Sequence, residues 1–477
     1  MRFRSIAALA SLLPAGHAAA QTIDAYDPMP GVPPASIARQ ADGRMLIVGS
    51  FANVGTDTRT GIARLNVDGS VDGTFGDAHV DGNVTTAAVQ ADGAILIGGS
   101  FTEVGGQPRH ALARLHADGT LDTSFADPGF NGNVEALALQ PDGRILVGGA
   151  FTLIGAHAQN YFARLDANGG FDASFADPEL CCDPLVNAIA LQADGSVLIG
   201  GAFSQAGGVN GRFYFARFSS SGVFDPSFPA ITTFPQPAGL MVAPDGSIYV
   251  SNNGVSDILK LDASGAPAAG FTGAVADGEI YSFVVQPDGR ILIAGTFQNV
   301  GGQPRHALAR LDADGSLDPT FGDLHFDFNP TDPNGYIYGI ADQDDGKPVV
   351  IGNFSRADGA AQAYVARVAT GDPATSALVV EPDGAGVDVT WYRLGDGPEL
   401  SAPPMLMHST DGATFGAVGA MTHVANGWRA SAPYDAHGAR FYLKALGATA
   451  DGNDNASPGT IASAIYSNDT IFADGFE

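Results

Sequence analysis

"ALQPDGRILVGGAFTLIG" runs from Ala138 to Gly155, and "VVQPDGRILIAGTFQNVG" runs from Val284 to Gly301. The same pattern returns five more times in looser form. Its first Asp-Gly turn falls at Asp42, Asp92, Asp142, Asp194, Asp245, Asp288 and Asp345, at spacings of 43 to 57 residues. A period of that length belongs to a solenoid, a propeller or an array.

Unit two shows what one period contains. "TTAAVQ" (Thr85 to Gln90) reads as a strand and is followed by a turn at Asp92-Gly93. "AILIGGSF" (Ala94 to Phe101) is apolar, β-favouring and too short for a helix. "TEVGGQPRH" reads as a loop, "ALARLH" as a third strand, Asp118-Gly119 as a second turn and "TLDTSF" as a fourth strand. No unit contains an amphipathic helix. Four short strands per period predict an all-β chain: a seven-bladed β-propeller of four-stranded blades over residues 21–370. A solenoid coil would not need two tight hairpins per unit.

The pattern "LQPDGRILVGGAF…GG…ARL.ADGSLD.SF" resembles the delta-60 repeat, a bacterial β-propeller repeat. The resemblance spans residues 22–370. It implies the propeller fold and no particular activity. Unit five departs most, since "SIYVSNNGVSDILKLDASGAPAAGF" lacks the Gly-Gly and Leu-Asp elements and has a shorter second loop.

Residues 375–465 carry "VDVTWYRLG", "PMLMHSTDGATFGAVG", "GWRASA" and "RFYLKALGA". They predict a small antiparallel β-sandwich resembling a fibronectin type III module, with Trp391 and Trp428 in its core. "STDGATF" (Ser409 to Phe415) resembles a sialidase Asp-box but occurs once, outside the propeller, and reads as a hairpin turn. Residues 466–477 form a tail resembling that of some exported bacterial proteins. At the other end, Arg2 and Arg4 precede the apolar run Ile6 to Leu13, and Ala18 and Ala20 form a small-x-small cleavage pattern. Residues 1–20 therefore read as a signal peptide of bacterial type, removed near Gln21, with the mature chain secreted, cell-surface or periplasmic. No later apolar run reaches membrane length.

The chain has 477 residues, a net charge of −28 and only 16% charged residues. That is a folded, turn-rich composition. The acidic surface argues against a nucleic-acid partner. Nothing calls for a cofactor or a metal. "DADGSLD" (Asp312 to Asp318) has the oxygens of a calcium loop, but other units carry Asn66 or His116 in its first position, so a hairpin turn is the reading taken. No nucleophile elbow, zincin motif or phosphate loop is present.

Alternation of strand direction sends both Asp-Gly turns of each unit to one rim and the longer loops to the other. Ligand sites are expected among those longer loops, which carry Arg109, His110, Arg212, Arg305 and His306. Arginine there would suit carboxylates or phosphates, and histidine protons or metal. The shortened loop of unit five, "SNNGVSD" (Ser251 to Asp257), should leave a notch flanked by Arg212, Arg305 and His306 where an anion would sit. The competing reading is that these residues merely define the repeat. Two functions follow: a non-catalytic platform for an extracellular or cell-envelope glycan or protein, which is the reading preferred, or a polysaccharide-active hydrolase or lyase on the long-loop face.

Two structural expectations complete the picture. Cys181 and Cys182 are adjacent and are the chain's only cysteines. They could join each other, bridge two chains or stay reduced, and a vicinal disulfide is the reading taken. Each third strand carries a basic residue, and in five units an Asp follows eight positions later: Arg64–Asp72, Arg114–Asp122, Arg164–Asp172, Arg217–Asp225 and Arg310–Asp318. A three-residue hairpin places each pair in register. Arg367 has no such Asp after it. "TIDAYDP" (Thr22 to Pro28) resembles a fourth strand, so Asp24 is expected to face Arg367, with residues 22–28 closing unit seven.

Overall fold

The computed structural model describes residues 21–467 except 183, 232–235, 253–256, 274, 287, 330, 344–345, 370–374, 384–385, 395–402, 411–413, 425–426, 433–441 and 449–460. The expected signal peptide, the turn tip of "STDGATF", most of the unit-five loop and residues 468–477 lie outside the described residues. All described regular structure is β, and no helix is long and apolar enough to cross a membrane.

Each unit folds as an antiparallel meander. In unit two the strands Val84–Val89, Ile95–Gly99 and Leu112–Leu115 pair in that order. Their alternation is partly masked by burial on both faces, as expected where every sheet is packed between two others. The expected fourth strand is barely a strand in the first six units. It makes one bridge to the third strand, as at Leu115↔Leu121 and Leu165↔Phe171. The reason is local: Asp122 Oδ1 accepts from the Ser124 amide and hydroxyl, turning the chain away after one pair. Unit seven alone is a four-stranded sheet among these, and Thr22–Ile23 supplies its outer strand against Val365–Ala369. The long loop, read from sequence as irregular, contains a two-residue hairpin in unit two, Glu103–Val104 with Gln107–Pro108.

The first strands pack in cyclic order. Ser36–Arg39 meets Val84–Val89, and so on through each unit to Tyr336–Ala341, which returns to Ser36–Arg39. The apolar core therefore lies between units rather than within them. One cluster joins Leu46 and Val48 of unit one to Val84 and Ile97 of unit two, and another joins Ile37 and Ile47 of unit one to Val349 and Ile351 of unit seven. A single unit could not bury both faces of its sheet, so neighbours are required. Close approach explains the paired glycines of the second strand. A Cβ on Gly98 would stand 2.6 Å from Val134 of the next unit, and one on Gly99 2.1 Å from the carbonyl of Asn83, the residue before its own first strand.

Beyond residue 374 two further four-stranded antiparallel sheets form. One orders Thr375–Asp383, Gly386–Leu394, Gly427–Ala432 and Thr422–Val424; the other orders Gly416–Ala420, Met405–Ser409, Tyr442–Ala448 and Ile461–Ser467. Trp391 and Trp428 face each other in register and are buried with Leu406, Leu443 and Ala445 of the opposite sheet. The last strand reaches Ser467, two residues into what the sequence assigned to the tail.

Candidate functional site

The first strand of each sheet begins on the long-loop face, and there its pairing slips. The register shifts fall between Val84 and Thr86, Val134 and Ala136, Val186 and Ala188, Pro237 and Gly239, Ile280 and Ser282, and Ile337 and Gly339. The bulged residues are Thr85, Glu135, Asn187, Ala238, Tyr281 and Tyr338. Each stands five positions before the residue that opens the Asp-Gly turn, and Ala35 holds that place in unit one. A bulge sets two residues opposite one and re-aims a side chain out of the pleat. Because the first strands pack cyclically, the seven positions form a ring at the mouth of the central axis.

The ring is chemically lopsided. Tyr281 and Tyr338 of neighbouring units lie 6.3 Å apart at 31°, and Tyr336 meets Tyr338 edge-on at 5.1 Å. Small Ala238 and Ala35 flank this aromatic side. Asn353 Nδ2 donates to the Tyr336 hydroxyl at 3.2 Å, and the hydrogen bonds at that oxygen hold its proton affinity below the usual tyrosine range. Burial, with help from the neighbouring Glu279, pushes the Tyr281 hydroxyl up to about 12. Across the ring Thr85 Oγ1 donates to the Val134 carbonyl at 2.8 Å, bonding unit two to unit three. Burial raises the Glu135 carboxyl above its ordinary value, only partly opposed by hydrogen bonds from Asn133 and Thr85. The mouth thus offers neighbouring aromatic rings, an amide, a hydroxyl and a carboxyl group that holds its proton unusually well.

The long-loop residues singled out from sequence are each engaged within their own unit. Arg212 donates to the Phe228 carbonyl at 2.6 Å and the Pro226 carbonyl at 2.8 Å and lies over Phe224. Arg109 and Arg305 donate to the carbonyls of Pro108 and Pro304. His110 Nδ1 meets Asp127 Oδ2 at 2.6 Å, and His306 Nδ1 meets Asp323 Oδ2 at 2.8 Å. A carboxylate stands beside each histidine, and the unit-five loop that would form the anion notch lies mostly outside the described residues. The sulfurs of Cys181 and Cys182, the expected vicinal pair, are brought to 2.7 Å from each other. Cys182 sits at φ 76° and Cys181 is tied to Gln205 by a bridge, which fixes the backbone on both sides of the pair.

On the opposite rim the five Arg–Asp pairs are hydrogen-bonded. Arg64, Arg114 and Arg310 Nε donate to Asp72, Asp122 and Asp318 Oδ2 at 2.7 Å, and Arg164 and Arg217 to Asp172 and Asp225 at 2.8 Å. Arg367 Nε meets Asp24 Oδ2 at 2.6 Å, across 343 residues of chain. Lys260 of unit five has Ala268 in the acid's place and lies over Tyr249 instead. The sequence reading missed two further functions of these arginines, although a Phe stands eleven residues after each of the five. Each stacks on an aromatic ring, 4.6 to 5.1 Å from centroid, as Arg64 does on Phe75 and Arg367 on Tyr26. Arg64, Arg114, Arg164, Arg217 and Arg367 also donate to a carbonyl in the second turn of the next unit: Ala117, Ala167, Ser220, Ala263 and, closing the circle, Val67.

Residues 40–75, 90–125, 140–175, 192–228 and 286–321 match the family described as "Domain of unknown function (DUF5122) beta-propeller". These are the same five units that carry the eight-residue Arg–Asp spacing. No curated protein matches the chain. Among solved structures it is similar to the WD40 β-propeller domain of Doa1, at 14% identity over 73% of this chain and 97% of that one, with a TM-score of 0.45. It is also similar to YCF48 from Cyanidioschyzon merolae, at 12% identity over 73% and 98% of the two chains, with a TM-score of 0.43. With five family matches and cyclically packed meander sheets, the chain is a β-propeller repeat protein.

Proposed function

We propose that this chain is an exported, seven-bladed β-propeller that binds a polyhydroxylated ligand of the cell exterior, a glycan, at its axial mouth. The C-terminal sheets serve as a fibronectin type III-like spacer. One observation carries the reading: six successive units place a bulge at the same point of their first strand, filled by Thr85, Glu135, Asn187, Ala238, Tyr281 and Tyr338. Neighbouring Tyr281 and Tyr338 suit the apolar faces of sugar rings, while Asn187 and Glu135 suit hydroxyl groups. The net charge of −28 favours an uncharged ligand over an anion.

A glycan-binding screen with the whole exported protein, followed by calorimetry on the hits, tests this. Y281A/Y338A should weaken binding at least tenfold with an unchanged melting temperature. Full affinity in that double variant sinks the reading. A second reading, a polysaccharide hydrolase or lyase, draws on the raised Glu135 carboxyl, which is suited to a general acid. Turnover of a bound glycan that disappears in E135Q would favour it; binding without turnover favours the platform.

A further inference from the structure

The eleven residues "GGQPRHALARL" occur twice, at 105–115 and 301–311. The two copies hold their histidine in the same way but end in different surroundings. In both, the carboxylate of the following connection accepts from the histidine's backbone amide and meets its ring: Asp127 for His110, Asp323 for His306. Two residues past that carboxylate unit two has Gly129, whereas unit six has His325. The His325 Nε2 atom lies 3.5 Å from Asp323 Oδ2, and its ring stacks on that of His306 at 4.1 Å. Unit one has the complementary half, with Thr60 bound to Asp77 in place of the first histidine and His79 in place of the second. Only unit six combines all three donors.

The geometry points to a divalent transition-metal site, of the kind zinc fills, built from His306, Asp323 and His325. One ligand atom from each residue lies within 4.8 Å of the others, and among the described residues this group alone meets that condition. Zinc bound through nitrogen and oxygen at about 2.1 Å sets tetrahedral neighbours about 3.4 Å apart. The 3.5 Å separation already matches, and the 2.8 Å one must open slightly as the ion replaces the proton shared by His306 and Asp323.

The carboxylate is aimed beforehand. Its Oδ1 is held by the His306 amide at 2.8 Å and also meets the His306 ring at 3.0 Å, while Oδ2 faces both rings. The connection itself is pinned on both sides: the Gly322 amide donates to Gln21 Oε1, and the Asp358 amide to the His325 carbonyl. Phe326–Asp327 then pairs with the small hairpin of unit seven. Positive φ is found at His79 and Gly129 but not at His325, so the unit-six backbone presents its imidazole by a different route. Side-chain exposures of 21%, 22% and 48% leave the fourth coordination position open to water or to a ligand atom.

The test is a competition titration of the chelator-stripped full-length chain with Zn2+ against a chromophoric chelator. The wild type should bind one ion per chain. H306T and H325G each place a residue that another unit carries at that position, so the fold is retained, which a thermal melt verifies. Each should weaken binding at least tenfold and abolish the zinc-induced rise in melting temperature. H110T, the same change in unit two, should alter neither. Absence of binding in the wild type overturns the proposal, as does one-to-one binding that survives H306T and H325G, or an equal loss in H110T.

Discussion

The two ends of the propeller axis follow opposite rules. On the Asp-Gly rim the units repeat one device: an arginine that holds an aspartate, covers an aromatic ring and reaches a carbonyl of its neighbour. On the long-loop rim the units share a backbone device, the bulge, but fill it with Thr85, Glu135, Asn187, Ala238, Tyr281 and Tyr338. Sameness at one end satisfies buried charges and joins units. Difference at the other end makes an asymmetric surface, which is what the proposed ligand site requires. Stability and the recognition proposed for the mouth would thus be separated along the axis, and substitutions at the two ends should behave differently.

The largest effect is expected at the seam. Deleting residues 21–28 removes the outer strand of unit seven, the Asp24 partner of Arg367 and the fully buried Tyr26. Loss on the order of 5 kcal/mol is expected from a buried aromatic plus a broken pair, read by urea denaturation. A deletion variant that unfolds like the intact chain would erase the contrast. Next comes R310A, which strips from Asp318 the nearer of its two arginine partners; Arg310 and Asp318 are 1% and 3% exposed. About 3 kcal/mol should be lost. R217A, at a pair with side chains 18% and 28% exposed, should cost about 1 kcal/mol in the same assay.

Acid should act on the turn rim. Burial pushes the Asp72 and Asp122 carboxyls up, but hydrogen bonds from Thr74 or Ser124 and from Arg64 or Arg114 outweigh it and bring both down to about 2. The carboxyls of Asp172, Asp225 and Asp318 are lowered by the same contacts. A carboxyl lowered by folding stabilises the folded state above its unfolded value of about 4, and that contribution fades as pH falls toward 2. Melting temperatures measured from pH 7 downward should therefore fall most steeply below about 4. The smallest effect belongs to the mouth. Glu135 is raised by folding, so its ionisation at neutral pH weakens the fold, and E135Q should leave stability unchanged or raise it by less than about 1 kcal/mol. A loss comparable to that of R310A would show that the mouth is scaffold after all.

The repeat and the propeller class were readable because they rest on local chemistry at constant offsets. Asp-Gly turns recur, and a three-residue hairpin converts an eight-residue spacing into a cross-strand pair. The fourth strand was over-read, since alternation in "TLDTSF" says nothing of the Asp122 side chain that turns the chain away. The bulge ring was not readable by residue type, as nothing chemical unites Thr85, Asn187 and Tyr338. A positional signal was present: the residue five before the turn-opening position interrupts an apolar run, as Glu135 does in "VEALALQ". The carbonyl contacts of the arginines left no trace, because a main-chain oxygen can be carried by Ala117 as well as by Ser220. His325 was missed because it is not repeated at its position in unit two and meets His306 only through the folded connection.

The strand Thr22–Ile23 and its Asp24 are made first and used last. Arg64 finds Asp72 eight residues away, whereas Arg367 must find Asp24 across 343. Closing the longer loop costs on the order of 3 kcal/mol more chain entropy. During synthesis, unit one can pair its own strands at once but has no neighbour on one side until unit seven emerges. Until then Ile37, Met45 and Ile47, buried in the finished ring, lack the Val349 and Ile351 that cover them. Ring closure should accordingly be a late and slow step of folding, set by contact order rather than by the strength of any one unit. Interruption before residue 369 should leave a chain whose first unit is folded, sticky and open to invasion by the last unit of another copy.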